Sequence, residues 1–339
     1  MIGDMTIPLD KLKAITTIVS HEKCPDGIAA ALILKDVLPN AKIVFCQYNT
    51  PAHETMVAEP GMIFADFSPH RSRVQDFVAA GAIVLDHHRT AKEVVAAFGE
   101  LGVFADEKGE PGVSGATLAY REVWKPLRDE VTRATNIGST VYISDGYREW
   151  VERFAQIAGI RDTWQKKDPE WQTSCLQASA LFFVPQEELI QTGLHAIWRD
   201  WGAKYGWAGA ITNTKHRKRC ERAVREGYRH TTAKGNRVIL FQGTKLSSDA
   251  AEAPGAENAD IICGFDVIYE ANQVKYLYST RSRTDFDCSA LAKFYGGGGH
   301  KAAAGFNLIN PGSDPYSRFV TALQHYEDYK DIPPDDFNK

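Results

Sequence analysis

In the first third of the chain, three short apolar runs each end in an acid or an imidazole, and this recurrence constrains the fold more than any other feature. Thr16-Thr17-Ile18-Val19-Ser20 leads into His21-Glu22-Lys23-Cys24-Pro25-Asp26-Gly27, followed by a helix-prone stretch from Ile28 to Leu38. Met62-Ile63-Phe64-Ala65 ends at Asp66, and Phe67-Ser68-Pro69 follows, where Ser68 is expected to N-cap a helix with Pro69 at its first position. Ala82-Ile83-Val84-Leu85 runs into Asp86-His87-His88. Short apolar runs bounded by polar residues and alternating with helical stretches read as the strands of a parallel α/β sheet. In such sheets the first polar residues after each strand stand at its carboxyl end, where open α/β folds build their sites.

Each element taken alone has a plain structural explanation. Asp86-His87-His88 can cap the next helix, His21 can pack, and Gly27 can serve only a tight entry into a helix. Three acid-bearing strand ends in one βαβ series are harder to assign to capping. Together they describe a cluster of carboxylates and imidazoles suited to divalent cations.

A second set of signals lies downstream. Val274-Lys275-Tyr276-Leu277-Tyr278-Ser279-Thr280-Arg281-Ser282 alternates like a strand, and Asp287 with the helix-like stretch from Ser289 to Phe294 leads into Gly296-Gly297-Gly298-Gly299-His300. Four successive glycines usually make a flexible linker. Here Lys301-Ala302-Ala303-Ala304-Gly305-Phe306 follows, so the run enters a small-residue packed segment. Glycine backbone can approach a ligand closely and aim N–H groups at phosphate oxygens.

In this order and spacing the motifs resemble the DHH family of phosphoesterases with a C-terminal DHH-associated domain, over roughly residues 14 to 310. The resemblance implies an α/β fold with an N-terminal parallel-sheet DHH domain, a helical connector and a smaller C-terminal α/β substrate-binding domain. It implies two divalent metal ions, with manganese suited to the mixed imidazole and carboxylate set. By the same resemblance His21, Asp26 and Asp66 hold one metal, while Asp66, His87 and Asp162 hold the other. Asp162 is the better match for the late acid, with Asp145 as runner-up. Asp86 is expected to orient His87, and His88 to bind or protonate a phosphate oxygen. Arg281, Gly296, Gly297, Gly298, Gly299 and His300 would hold the nucleotide or phosphate end of the substrate. Val113-Ser114-Gly115-Ala116-Thr117-Leu118-Ala119-Tyr120 is similar to a small-residue helix start of the family, and reads more simply as an N-cap followed by core packing. The first motif departs from the family: two aspartates usually accompany the histidine, but Cys24 and Ile28 flank a single Asp26. Cys24 is expected to be a small packed residue, with a thiolate ligand as the other reading.

A chain of 339 residues suggests more than one core. The expected division is a DHH domain over 1–165, a helical connector over 166–234 that includes a helix from Pro185 and the aromatics Trp198, Trp201 and Trp207, an associated domain over 235–312, and an exposed acidic tail over 313–339. The net charge of −4 argues against a protein that coats nucleic acid nonspecifically, although the charge is uneven. From Lys215 to Arg237, nine Lys or Arg stand against Glu221 and Glu226. This basic run reads first as a solvated helix face, and otherwise as a surface that steers an anionic substrate. Six cysteines without a CxxC pair, no signal-like start and no membrane-length apolar run lead to the expectation of a reducing cytoplasm. The function expected is metal-dependent hydrolysis of short oligonucleotides or small signalling nucleotides. A single-strand exonuclease, a polyphosphate hydrolase and a nucleotide-binding protein with a degraded metal site stay open. The partner is a short nucleic acid or nucleotide, with no membrane and with homodimerisation left open.

Overall fold

The structure is a computed structural model that describes residues 7–48, 50–106, 108–135, 144–270 and 273–330, with the side chains of 131–135 left aside. Contacts divide the chain into two compact units, 1–213 and 214–339.

The first unit is built on five parallel strands: β1 (Thr17–His21), β2 (Lys42–Cys46), β3 (Met62–Ala65), β4 (Ile83–Asp86) and β5 (Gly102–Phe104), in the order β2-β1-β3-β4-β5. Their side chains alternate between two apolar layers, as the two-residue period of a strand requires. Ile18, Ile63, Ile83 and Leu85 face a layer made with the helices Pro25–Val37, Gly115–Ala119 and Asp145–Asp162. Val19, Phe64 and Val84 face the other, with Phe67, Phe77 and Val95. Burial on both faces explains why the strands read as continuous apolar runs. The helices over 171–205, read from sequence as connector, contribute Leu181, Leu189, Leu194 and Tyr205 to the first of these layers. The helix expected at Pro185 is Gln186–Thr192. Trp198 and Trp201 pack on the same core, whereas Trp207 is exposed.

Strand order determines where this unit can hold a ligand. The chain passes from β1 outward to β2 and then returns to the other side of β1 for β3, so the connections diverge between β1 and β3. In open α/β sheets such a switch point opens a crevice at the carboxyl ends of the strands. His21 ends β1, Asp66 follows β3, and Asp86 ends β4.

The second unit carries six strands: β6 (Tyr228–Thr231), β7 (Arg237–Gln242), β8 (Ile261–Glu270), β9 (Gln273–Ser282), β10 (Gly298–His300) and β11 (Ala303–Ile309), in the order β10-β11-β9-β8-β7-β6. Only β7 and β8 pair in parallel. Tyr278, Leu291, Tyr295, Phe306, Phe319 and Leu323 form its larger core. The segment expected to begin an exposed tail is instead the helix Pro315–Tyr329, capped by Asp314, and its apolar face supplies Phe319 and Leu323 to that core. Asp331, Pro333, Pro334, Asp335 and Asp336 lie outside the described residues.

Candidate functional site

Backbone geometry at the strand ends sets up the site. Asp66 sits at φ 57°, in the left-handed region that aspartate tolerates better than most residues. Its N–H donates to the Leu85 carbonyl at 3.0 Å, which fastens the strained residue to β4. Lys23, at φ 54°, turns the β1 loop, and its N–H donates to Gln186 Oε1 at 3.0 Å. The helix Pro25–Val37 then starts with Cys24 at its N-cap and Asp26 in its first turn. Gly27 lies against the backbone and Cβ of His21, so its role is close contact and not a special φ.

Seven expected residues come together here. His87 Nε2 lies 3.1 Å from Asp66 Oδ1, 3.3 Å from Asp162 Oδ2 and 3.9 Å from Asp26 Oδ2. His21 Nδ1 is 3.6 Å from Asp66 Oδ2, and His88 Nδ1 is 2.7 Å from Asp86 Oδ1. Asp26, Asp66 and Asp86 are buried, while Asp162 and His88 border the exposed side. Asp162 reaches the cluster because it is the last residue of the helix Asp145–Asp162. Asp145 starts that helix, roughly 25 Å away along its axis.

Three sequence expectations are corrected by this geometry. Asp86 partners His88 and not His87, because its carboxylate also accepts the His88 backbone N–H at 3.0 Å, which holds the two side chains on one side of the turn. Ser68 does not cap a helix: His70 caps the short turn at Arg71–Arg73, and Ser68 Oγ donates to Asp86 Oδ2 at 2.5 Å. Ser114 caps Gly115–Ala119 as expected, but the segment does more than cap and pack. Ser114 Oγ, Gly115 N and Ala116 N donate to Asp26 at 2.7, 2.6 and 3.1 Å, placing the carboxylate on the helix N-terminus. A Cβ on Gly115 would stand 2.2 Å from Asp66 Cβ, so no larger residue fits between the two acids.

Grouping by ligand atoms also differs from the allocation expected by resemblance. Asp26 collects with His87 and Asp162, Asp66 with His87 and His88, and Cys24 joins His21 and Asp66. In each trio the donor atoms lie within 4.8 Å of one another.

The charge balance is that of a site built for cations. Burial opposes charge on His87, yet its hydrogen bond to Asp66 and the fields of Asp162, Asp66 and Asp26 outweigh it and push its pKa up to about 10. Burial likewise opposes charge on His88, and Asp86 and Asp66 raise it to about 9. Burial and the neighbouring Asp66 and Asp162 push Asp26 well above the usual carboxylate range. Asp66 is held below that range, because contacts with His21 and His87 overcome the cost of its burial. Among the described residues, His21 Nδ1 and Asp66 Oδ2 are buried without a hydrogen-bond partner, an expensive condition that a bound cation would relieve. The donor set therefore fits divalent metal.

Tyr48 and Gln47 were not found by sequence reasoning, and Ser68 was read only as a helix cap. Tyr48 OH accepts the Ser68 N–H at 3.0 Å and donates to Asp86 at 3.3 Å, while Gln47 Oε1 lies 2.8 Å from His21 Nε2. No local motif marks them. Cys46-Gln47-Tyr48 at the end of β2 could have been suspected only from the adjacency of β2 and β1.

In the second unit, Arg281 lies on β9 opposite Ala303, its guanidinium donating to Ser248 Oγ, Ser279 Oγ and the Thr280 carbonyl. The glycine run leaves the helix Cys288–Phe294 and enters the edge strand β10 of a hairpin that turns at Lys301-Ala302. A Cβ at Gly297 would meet the Gly305 carbonyl at 2.2 Å, and Gly299 has φ 140°, while Gly298 has open space around it. Gly298, Gly299 and His300 are exposed on β10. On the basic run, Lys215, Arg217, Lys218 and Arg219 are solvent-exposed, and Arg222 and Arg225 pair with Glu226, in keeping with a solvated helix face.

Among solved structures, the chain is similar to the pGpG-specific phosphodiesterase PggH from Vibrio cholerae, with 15% identity over 92% of this chain and 99% of that one and a TM-score of 0.53. It is similar also to the DHH domain of a member of the s1p family of ribosomal proteins, with 15% identity over 93% of this chain and 88% of that one and a TM-score of 0.53. The chain has a DHH-family phosphoesterase fold. No protein-family model and no curated protein matches the sequence, so the likeness is one of fold. No helix among the described residues of this DHH-fold protein is long and apolar enough to cross a membrane.

Proposed function

We propose that this protein is a metal-dependent phosphodiesterase that hydrolyses short oligonucleotides or small signalling nucleotides. Asp66 carries the reading: a fully buried carboxylate with one oxygen at His87 and the other beside a His21 nitrogen, both of these atoms unpartnered among the described residues, is suited to bridge two cations. His21 and Asp66 would hold one divalent ion, and Asp26, Asp66, His87 and Asp162 the other, with manganese matched to the mixed nitrogen and oxygen donors. Bound there, the ions would neutralise phosphate charge and lower the pKa of a water.

The protein's own residues supply orientation and a proton. Three donors fix Asp26, and the left-handed backbone aims Asp66. His88 is tied at Nδ1 to Asp86, and its Nε2 has no hydrogen-bond partner among the described residues. His88 is thereby oriented to bind or protonate a phosphate or leaving oxygen. Asp86, itself gripped by Ser68 and Tyr48, keeps the ring from turning. Arg281, Gly296 to Gly299 and His300 are proposed to grip one substrate end, a role supported by the outer edge of β10, which is unpaired among the described residues, and by the short diester named for PggH. Six free thiols suit the reducing cytoplasm we propose as its location.

The test is a panel of di- to decanucleotides, cyclic dinucleotides and polyphosphate assayed with manganese. Short diesters should be the best substrates, and Asp66→Ala should abolish turnover. Full activity of Asp66→Ala, or undiminished wild-type activity after exhaustive chelation, would overturn the metal assignment. Faster cleavage of long strands or polyphosphate at equal ends would overturn the substrate class.

A further inference from the structure

Cys24 is the potential metal donor that stands with His21 and Asp66 and that the proposed mechanism leaves unused. We propose that His21, Cys24 and Asp66 form a thiolate-containing metal site, so that the ion bound there is zinc or another thiophilic divalent ion, and the two sites of the cluster differ in metal preference. The proposal rests on the metal-bearing reading of the cluster and goes beyond it by assigning a ligand and a selectivity.

The geometry is specific. The left-handed turn at Lys23, pinned by Gln186 Oε1, folds the loop so that Cys24 stands over the end of β1. Donor atoms of His21, Cys24 and Asp66 then lie within 4.8 Å of one another. Two of these donors point to a missing partner, since His21 Nδ1 and Asp66 Oδ2 are buried and make no hydrogen bond among the described residues, and Asp66 is fully buried.

Hydrogen bonding also sets which His21 nitrogen can bind. Gln47 Oε1 accepts the Tyr48 backbone N–H at 3.1 Å, which identifies that atom as the carbonyl oxygen of the amide. The same oxygen is 2.8 Å from His21 Nε2, so Nε2 must donate and carry the ring proton. The lone pair of the neutral ring is then on Nδ1, the atom beside Asp66 Oδ2. Fixing the tautomer through the other ring nitrogen is how proteins prepare a histidine for metal.

One nitrogen, one sulfur and one oxygen donor make a borderline-soft set. Zinc accepts all three ligand types and commonly keeps a fourth position for water, whereas carboxylate and water sets favour manganese or magnesium. The trio Asp26, His87 and Asp162 has no sulfur, so the softer ion is directed to the Cys24 side. On binding, the Cys24 thiol releases its proton to solvent and its sulfur donates an electron pair to the ion; no oxidant or reductant takes part.

The full chain, stripped of metal and titrated with cobalt(II), gives a direct readout. Wild type should show an intense near-ultraviolet sulfur-to-cobalt charge-transfer band that Cys24→Ser lacks, with weaker visible bands remaining in both. Zinc affinity, read with a chromogenic chelator, should fall at least tenfold in Cys24→Ser, while manganese affinity, read by magnetic resonance of the free ion, should change less than threefold. Should Cys24→Ser fold poorly, wild type alone decides: one equivalent of zinc should slow alkylation of Cys24, located by peptide mapping, at least tenfold. No charge-transfer band, or alkylation of Cys24 unaffected by zinc, would overturn the proposal. Hydrolysis is scored separately. A protein that shows the band but cleaves no phosphodiester refutes the proposed activity and keeps this site, and one that cleaves with manganese but lacks the band does the reverse.

Discussion

Replacing Gly115 with alanine tests whether the two buried acids are held as closely as the structure requires. In an ordinary helix, glycine to alanine is favourable by roughly 0.5–1 kcal/mol. Gly115 opens a helix, but its missing Cβ would stand 2.2 Å from Asp66 Cβ, 2.7 Å from Asp66 Cα and 2.9 Å from Asp26 Oδ2. Carbon atoms in contact need about 3.5–4 Å. Asp66 cannot retreat freely, since its N–H is bonded to Leu85 and its backbone is already at φ 57°. Relief therefore takes a shift of about 1 Å in one or both acids, and overpacking of this kind costs roughly 1–3 kcal/mol. Set against the helix gain, Gly115→Ala should be destabilised by about 1–2 kcal/mol. A displacement of that size at a reacting centre is also expected to lower kcat/KM on the order of 10²-fold. Thermal unfolding with and without manganese, together with dinucleotide hydrolysis, measures both effects. A Gly115→Ala protein that melts a few degrees higher and keeps kcat/KM within twofold would refute the reasoning.

Asp162→Asn should lose manganese-supported turnover at least a hundredfold while Asp145→Asn stays near wild type, and steady-state hydrolysis showing the opposite ranking would move the late ligand to Asp145. Arg281→Ala and His300→Ala should lower kcat/KM on dinucleotides about tenfold or more with manganese affinity unchanged, and equal cleavage by both variants would remove the end-gripping role. In the second unit, the hydrogen bonds of His216 to Asp249 at 2.9 Å and to Cys220 raise the His216 pKa from 6.5 to about 9. The folded form binds the proton more tightly, so this contribution is complete below pH 6.5 and is lost as pH rises through about 9. For a partly exposed pair it should amount to about 1 kcal/mol after solvent screening. Melting between pH 6 and pH 10 should show this loss in wild type but not in His216→Asn, and parallel profiles would disprove it.

Much of the fold and part of the site were legible in the sequence alone, because some signals are local. A strand buried on both faces must be apolar along its length, so Ile18–Val19, Met62–Ala65 and Ile83–Leu85 announced β1, β3 and β4. The first polar residues after them had to emerge at one rim, and His21, Asp66 and Asp86-His87-His88 do. Other features depend on which elements become neighbours, and no periodicity encodes that. Asp162 was separable from Asp145 only once the helix Asp145–Asp162 had a direction relative to the sheet, which sets its last residue beside His87 and its first far off. The tie of Asp86 to His88, the turning of Ser68 toward Asp86, and the grip of Ser114 and Gly115 on Asp26 are contacts across 2 to 89 residues, decided by turn geometry and strand order. The sequence by itself determined the parallel α/β sheet and the composition of its rim, since burial and strand period act residue by residue. Only the tertiary structure decided which donors share a pocket, because strand order and left-handed turns at Lys23 and Asp66 bring Cys24 to His21 and Asp26 to His87.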